Sequence, residues 1–94
     1  MEEYNKVIQE LLKFRNERDW EQFHDSKNFA TAISIEAAEL NELYLLKTIK
    51  ESEEVDLERV KEELADVLSF AFLLAEKHDL NPFEIVLDKI KSNA

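Results

Sequence analysis

Apolar side chains in this chain recur at three- and four-residue steps rather than in alternation, and that spacing predicts α-helices throughout. Tyr4, Val7, Ile8, Leu11 and Leu12 make one such stripe and predict a first helix over roughly 3–17. The stretch from Asp19 to Lys27 holds Trp20, Phe23 and His24 without a sustained period. It reads as an irregular connection, with Ser26 or Asn28 as the candidate cap of the next helix. That second helix, about 29–49, carries Ile33, Ala37, Leu40 and Tyr44 on one face. The charged run KESEEVD (50–56) reads as a loop, with Ser52 or Asp56 capping a third helix over about 54–78. Lys77 and His78 suit the negative end of that helix's dipole. Asn81-Pro82 joins a good cap to a residue suited to the first helical position, so a fourth helix runs from there to about Lys91.

The third helix departs from a simple stripe. Val67 to Ala75 is apolar almost all round, so it needs cover on several sides, and a chain of 94 residues has few elements to supply it. Self-association through this helix is the expected solution. The run is too short to cross a bilayer. The reading is therefore one all-α domain over residues 1–94, a four-helix bundle completed by oligomerisation.

Composition narrows the picture further. With no glycine and one proline (Pro82), turn chemistry for β-hairpins is scarce and glycine-rich phosphate loops are excluded. At 45% hydrophobic residues the chain is too apolar to stay disordered. Twenty-two acidic against 12 basic residues give a formal charge of −10. That balance repels nucleic acid and anionic membranes, while a small phosphorylated ligand stays possible because a bound divalent cation reverses the local field. The absence of cysteine removes disulfide and thiolate chemistry and agrees with a reducing compartment. The amino-terminal MEEYNKVIQE lacks the features of a signal peptide, so a cytoplasmic location is expected.

Two carboxylate pairs carry the chemistry. Glu36-Ala-Ala-Glu39 and Glu63-Leu-Ala-Asp66 lie within otherwise apolar helical stretches. Residues three apart share a helix face, so each pair aims two like charges the same way. Repulsion and burial both oppose that arrangement unless a cation sits among the oxygens. Mg2+ binds carboxylate oxygens and keeps positions open for substrate phosphates. The leading expectation is a magnesium-dependent enzyme acting on a phosphorylated substrate. Glu42 continues the 36/39 face, and Glu62 reads as a surface residue.

The run Glu17-Arg18-Asp19-Trp20-Glu21-Gln22-Phe23-His24, then Lys27-Asn28 and the two pairs, resembles the MazG-like all-α nucleoside triphosphate pyrophosphohydrolases. The likeness is greatest to the single-domain branch that includes the dCTP pyrophosphatases, and it covers about residues 7–93. The family pattern is E-x-x-E, a spacer, then E-x-x-D; here 23 residues separate Glu39 from Glu63. The resemblance implies that Glu36, Glu39, Glu63 and Asp66 bind Mg2+ and serve catalysis. It implies cleavage between the α- and β-phosphates of a (d)NTP, dCTP or a related nucleotide, and assembly as a dimer or a dimer-of-dimers tetramer. It also implies substrate contacts for Trp20, His24, Asn28, Lys47, Phe70, Lys89 and Asn93.

Leu46 stands where the branch has tryptophan, Phe70 where it has tyrosine, and Ser26 where it has proline. The first two changes fall near the base. Family members carry a basic Tyr-Pro segment beyond the position of Asn93-Ala94, so the expectation at that end is a shortened chain or a missing phosphate-binding tail. Two rival readings compete with this one. A non-catalytic helical module that dimerises and binds a protein explains the apolar third helix but not the acids set within helices. A di-iron bundle needs two Glu-x-x-His elements, and Glu21 to His24 supplies one.

Overall fold

A computed structural model describes residues 2–18 and 25–93. It is all-α, with α1 (Glu2–Glu17), α2 (Ser26–Glu42), a single-turn α3 (Ile49–Ser52), α4 (Leu57–Lys77) and α5 (Pro82–Asn93). Among the described residues there is no strand, and no helix is long and apolar enough to cross a membrane.

The helix ends follow local chemistry, and several differ from the sequence reading. Asp25, rather than Ser26 or Asn28, caps α2: its carboxylate accepts from the Asn28 backbone N–H at 2.8 Å and from the Asn28 side-chain amide at 3.0 Å. The helix therefore starts at Ser26, three residues before the expected 29. It also stops at Glu42 rather than near 49, because the chain turns through 43–46 with Leu46 at a positive φ of 61°. Thr48 and Glu51 then form a reciprocal capping box, so the first half of the expected KESEEVD loop becomes α3. Asp56 caps α4, as one of the two candidates, and Ser52 does not. At the far end of α4, Leu80 N–H bonds to Ala75 C=O and Asp79 N–H to Glu76 C=O. That is a Schellman closure, with Asp79 (φ 55°) in the left-handed position that glycine usually takes. Asn81 caps α5 by accepting from Phe83 and Glu84, and α5 extends to Asn93, two residues past the expected Lys91.

α2 packs along α4, and α1 lies against α4 over a shorter stretch. The hydroxyl of Ser26, at the start of α2, lies 3.0 Å from Nε2 of His78, at the end of α4, so the two helices run antiparallel. Among the described residues, Ile8, Phe29, Leu73 and Ala75 are the buried apolar ones. An aromatic cluster ties the flanking helices in: Tyr4 meets Phe72 and Phe83 edge-on, with centroids 5.8 and 5.6 Å apart. Edge-to-face pairs of this kind contribute about 0.5–1.5 kcal/mol each beyond burial. Much apolar surface stays open within one chain, including Leu57, Leu64 and Leu68 of α4 and Val86, Leu87 and Ile90 of α5.

Candidate active site

The antiparallel α2–α4 pair brings the two acidic motifs side by side. Carboxylate oxygens of Glu36, Glu39 and Glu63 all lie within 4.8 Å of one another. Glu36 and Glu63 are half-buried, and each has one oxygen, Oε2, that is shielded from water and has no hydrogen-bond partner. An unsatisfied buried carboxylate oxygen is costly, and here two occur in one cluster.

Burial and like charge together raise the proton affinity of two of these carboxyls. Burial raises the Glu36 carboxyl from its ordinary value to about 7, and the neighbouring Glu39, Asp66 and Glu63 push the same way. Burial also raises Glu63, with Glu39 and Asp66 adding to it and Arg59 opposing. Asp66 is exposed and lies outside the three-residue cluster, yet its charge acts on both of the others. Three carboxylates converging with orphaned oxygens suit a hard divalent cation, which would satisfy those oxygens and cancel the repulsion. The residues present fit such an ion.

Beside the cluster lies a cleft of about 1210 Å³ between α1 and α4, with Glu36 and Asp66 among its lining residues. Its walls include Leu11, Phe14, Phe70 and Leu73, while Lys6 and Lys13 of α1 also line it. Charged side chains run the length of its α1 wall, Glu3, Glu10, Arg15 and Glu17 among them, beside the apolar ones, and a concave site that mixes the two has the general form of a small-ligand site.

The expected substrate residues fall into three groups. Phe70 lines the cleft. Asn28 spends its side-chain amide on the Asp25 cap, one turn into α2. Lys47, in the turn after α2, and Lys89 and Asn93, on α5, are exposed and do not line this cleft. Trp20 and His24 lie outside the described residues. Among the basic side chains near the end of α1, Arg15 bonds to Asn16 Oδ1 at 3.1–3.2 Å, and the Arg18 guanidinium sits 3.5 Å from the Phe14 ring centroid. Glu62 is exposed, as expected. Sequence reasoning missed the α1 wall. Phe14 was its available signal: it lies seven residues on from Val7 and so continues the face of the helix that carries the stripe from Tyr4 to Leu12.

This arrangement of acidic helices beside a cleft defines a class, and the comparisons agree. Residues 31–94 match the MazG-like family. The chain is 34% identical to the rat protein named dCTP pyrophosphatase 1, over 86% of this chain and 51% of that relative, and 36% identical to the human protein of the same name. It therefore spans about half the length of these relatives. A crystal structure of a pyrophosphatase from Archaeoglobus fulgidus superposes with a TM-score of 0.88 at 36% identity, covering 95% of this chain and 86% of that one. The chain belongs to the MazG-like family.

Proposed function

We propose that this chain is a nucleoside triphosphate pyrophosphohydrolase, cleaving a (d)NTP between the α- and β-phosphates to give the monophosphate and pyrophosphate. The observation that carries the reading is the Glu36–Glu39–Glu63 cluster, with its two unpartnered buried oxygens, at the edge of an apolar cleft. The relatives' names point the same way, to dCTP or a related or modified deoxynucleotide as substrate.

In this reading Glu36, Glu39, Glu63 and Asp66 hold Mg2+. Bound there, Mg2+ neutralises phosphate charge and lowers the pKa of a coordinated water. The chain's own residues do the rest. Glu36 gives up its proton when the cation loads, so binding strengthens as pH rises through about 7. Leu11, Phe14 and Phe70 offer an apolar bed for the base, and Lys6 and Lys13 offset the charge of the phosphates. Trp20 and His24, which lie outside the described residues, are assigned substrate contacts on the family resemblance alone. Lys47, Lys89 and Asn93 serve phosphate or sugar. A homo-oligomer, either a dimer or a dimer-of-dimers tetramer, covers the open α4 and α5 faces.

The test is to incubate the protein with a panel of dNTPs and Mg2+ and follow pyrophosphate and monophosphate. Release of both in equal amounts is expected. Orthophosphate in place of pyrophosphate, or no turnover of any triphosphate, would overturn the reading; the second outcome would favour the non-catalytic module.

A further inference from the structure

We infer that Ser69 is a specificity-determining residue that accepts a hydrogen bond from the exocyclic amino group of the bound base; the inference rests on the nucleotide reading above. Apart from Glu3, Tyr4 and Glu17 near the ends of α1 and Phe83 at the start of α5, the described walls of the cleft are helix interiors, chiefly of α1 and α4. Backbone N–H and C=O groups in helix interiors are bonded to one another, so recognition of a base edge falls to side chains. Among the described lining residues, the neutral polar ones are Tyr4 and Ser69. The Tyr4 ring is committed to the aromatic cluster with Phe72 and Phe83. Ser69 is one turn of α4 beyond Asp66 and next to Phe70, on the wall shared with the acidic end.

The direction of the Ser69 hydroxyl is fixed by its partner. Its oxygen lies 2.8 Å from the Ala65 carbonyl oxygen, which cannot donate, so the serine proton points at Ala65. What remains for a ligand is a pair of acceptor lone pairs. A base that presents an N–H donor at that point gains a hydrogen bond. A base with a carbonyl there meets an oxygen with no proton to share. Ser69 therefore separates amino bases from their oxo counterparts, cytosine from uracil and adenine from hypoxanthine. Its neighbours Phe70 and Leu73 hold the ring without regard to that difference.

The experiment measures kcat/KM for pyrophosphate release with dCTP against dUTP, and with dATP against dITP, at saturating Mg2+. Wild type, Ser69→Val and Ser69→Thr are compared, with helical content checked by circular dichroism. Wild type should favour the amino member of each pair by about tenfold, the scale of one hydrogen bond made or left unmade. Ser69→Val should bring the ratios toward unity, and Ser69→Thr, which keeps the hydroxyl, should preserve them. A Val variant that slows every substrate equally while keeping the ratios marks a structural serine and overturns the inference. A wild-type preference for the oxo bases does the same. In both cases the pyrophosphohydrolase reading stands; loss of all turnover in wild type would remove the two together.

Discussion

The α2–α4 pair and the flanking helix α5 solve the burial problem in opposite ways. α2 and α4 lie along each other, place Phe29, Leu73 and Ala75 out of water, and accept half-buried carboxylates as part of the contact. α5 is anchored near its start by Phe83 against Tyr4 and Phe72, and then leaves Val86, Leu87 and Ile90 about 57–61% exposed. The first region is stable despite its charges; the second is apolar without cover. Packing and the acidic cluster are thus concentrated in one antiparallel pair, while the apolar remainder is left open on the single chain.

The largest expected effect tests that contrast directly. Phe29→Ala, at a residue 2% exposed, should cost about 3–5 kcal/mol of unfolding free energy. Ile90→Ala, on the open face of α5, should change it by no more than about 0.5 kcal/mol at high dilution. Urea titration at two protein concentrations checks both. If Ile90→Ala proves costly and the cost grows with concentration, the α5 face is covered by another chain under those conditions.

Turnover gives the next break point. Glu63→Gln should lower pyrophosphate release at least about a hundredfold, the upper end of what losing even an outer-shell partner of a metal ligand costs. The same change should raise the melting temperature of the metal-free protein at neutral pH, because the amide resembles the protonated acid that burial already favours. Reduced turnover together with a lower melting temperature would mean the residue supports the fold rather than the cation.

The pH response sharpens the same point. The Glu36 carboxyl is raised from 4.5 to about 7 in the folded chain, so between those values the folded state binds more protons than the unfolded one. Its contribution to metal-free stability is complete below about 4.5, falls as pH rises, and is gone above about 7. Glu36→Gln should match wild type in melting temperature near pH 4.5 and exceed it increasingly up to about pH 8. Saturating Mg2+ should erase wild type's deficit. A gap that is independent of pH would remove Glu36 from the titrating cluster.

The sequence made the pairing of acids on each helix legible because helical period is a strong signal: E-x-x-E and E-x-x-D put each pair on one face whatever the exact helix ends, and the structure then brings Glu36, Glu39 and Glu63 together. It also made the Asn81-Pro82 start legible and narrowed the α4 cap to Ser52 or Asp56, since caps act through their nearest neighbours. The end of α2 was hidden. Leu43 to Leu45 continue the apolar pattern, and in a chain without glycine nothing marks the left-handed residue at Leu46. The cap at Asp25 was hidden for a related reason, because Ser26 and Asn28 are equally good capping types and the choice rests on backbone geometry. The cleft was hidden more deeply. Ser69 and Phe14 acquire meaning when α1 and α4 are placed face to face, and that is a tertiary fact.

The smallest effect is the most discriminating. Leu46 is fully exposed and held at φ 61°, where a side chain with a Cβ costs roughly 1–2 kcal/mol. Leu46→Gly relieves that strain but loses about 0.5–1 kcal/mol to the greater freedom of the unfolded chain. In an isolated chain the net gain should be a few tenths to about 1 kcal/mol. The neighbouring Leu45 and Ile49 are also exposed, so the turn between α2 and α3 presents a small apolar knob to solvent. If a second copy seats that knob, Leu46→Gly should instead lower stability at high protein concentration and raise it at low. Urea midpoints over a hundredfold range of concentration separate the two outcomes, and a gain of the same size throughout would mean that Leu46 faces water in the assembled protein too.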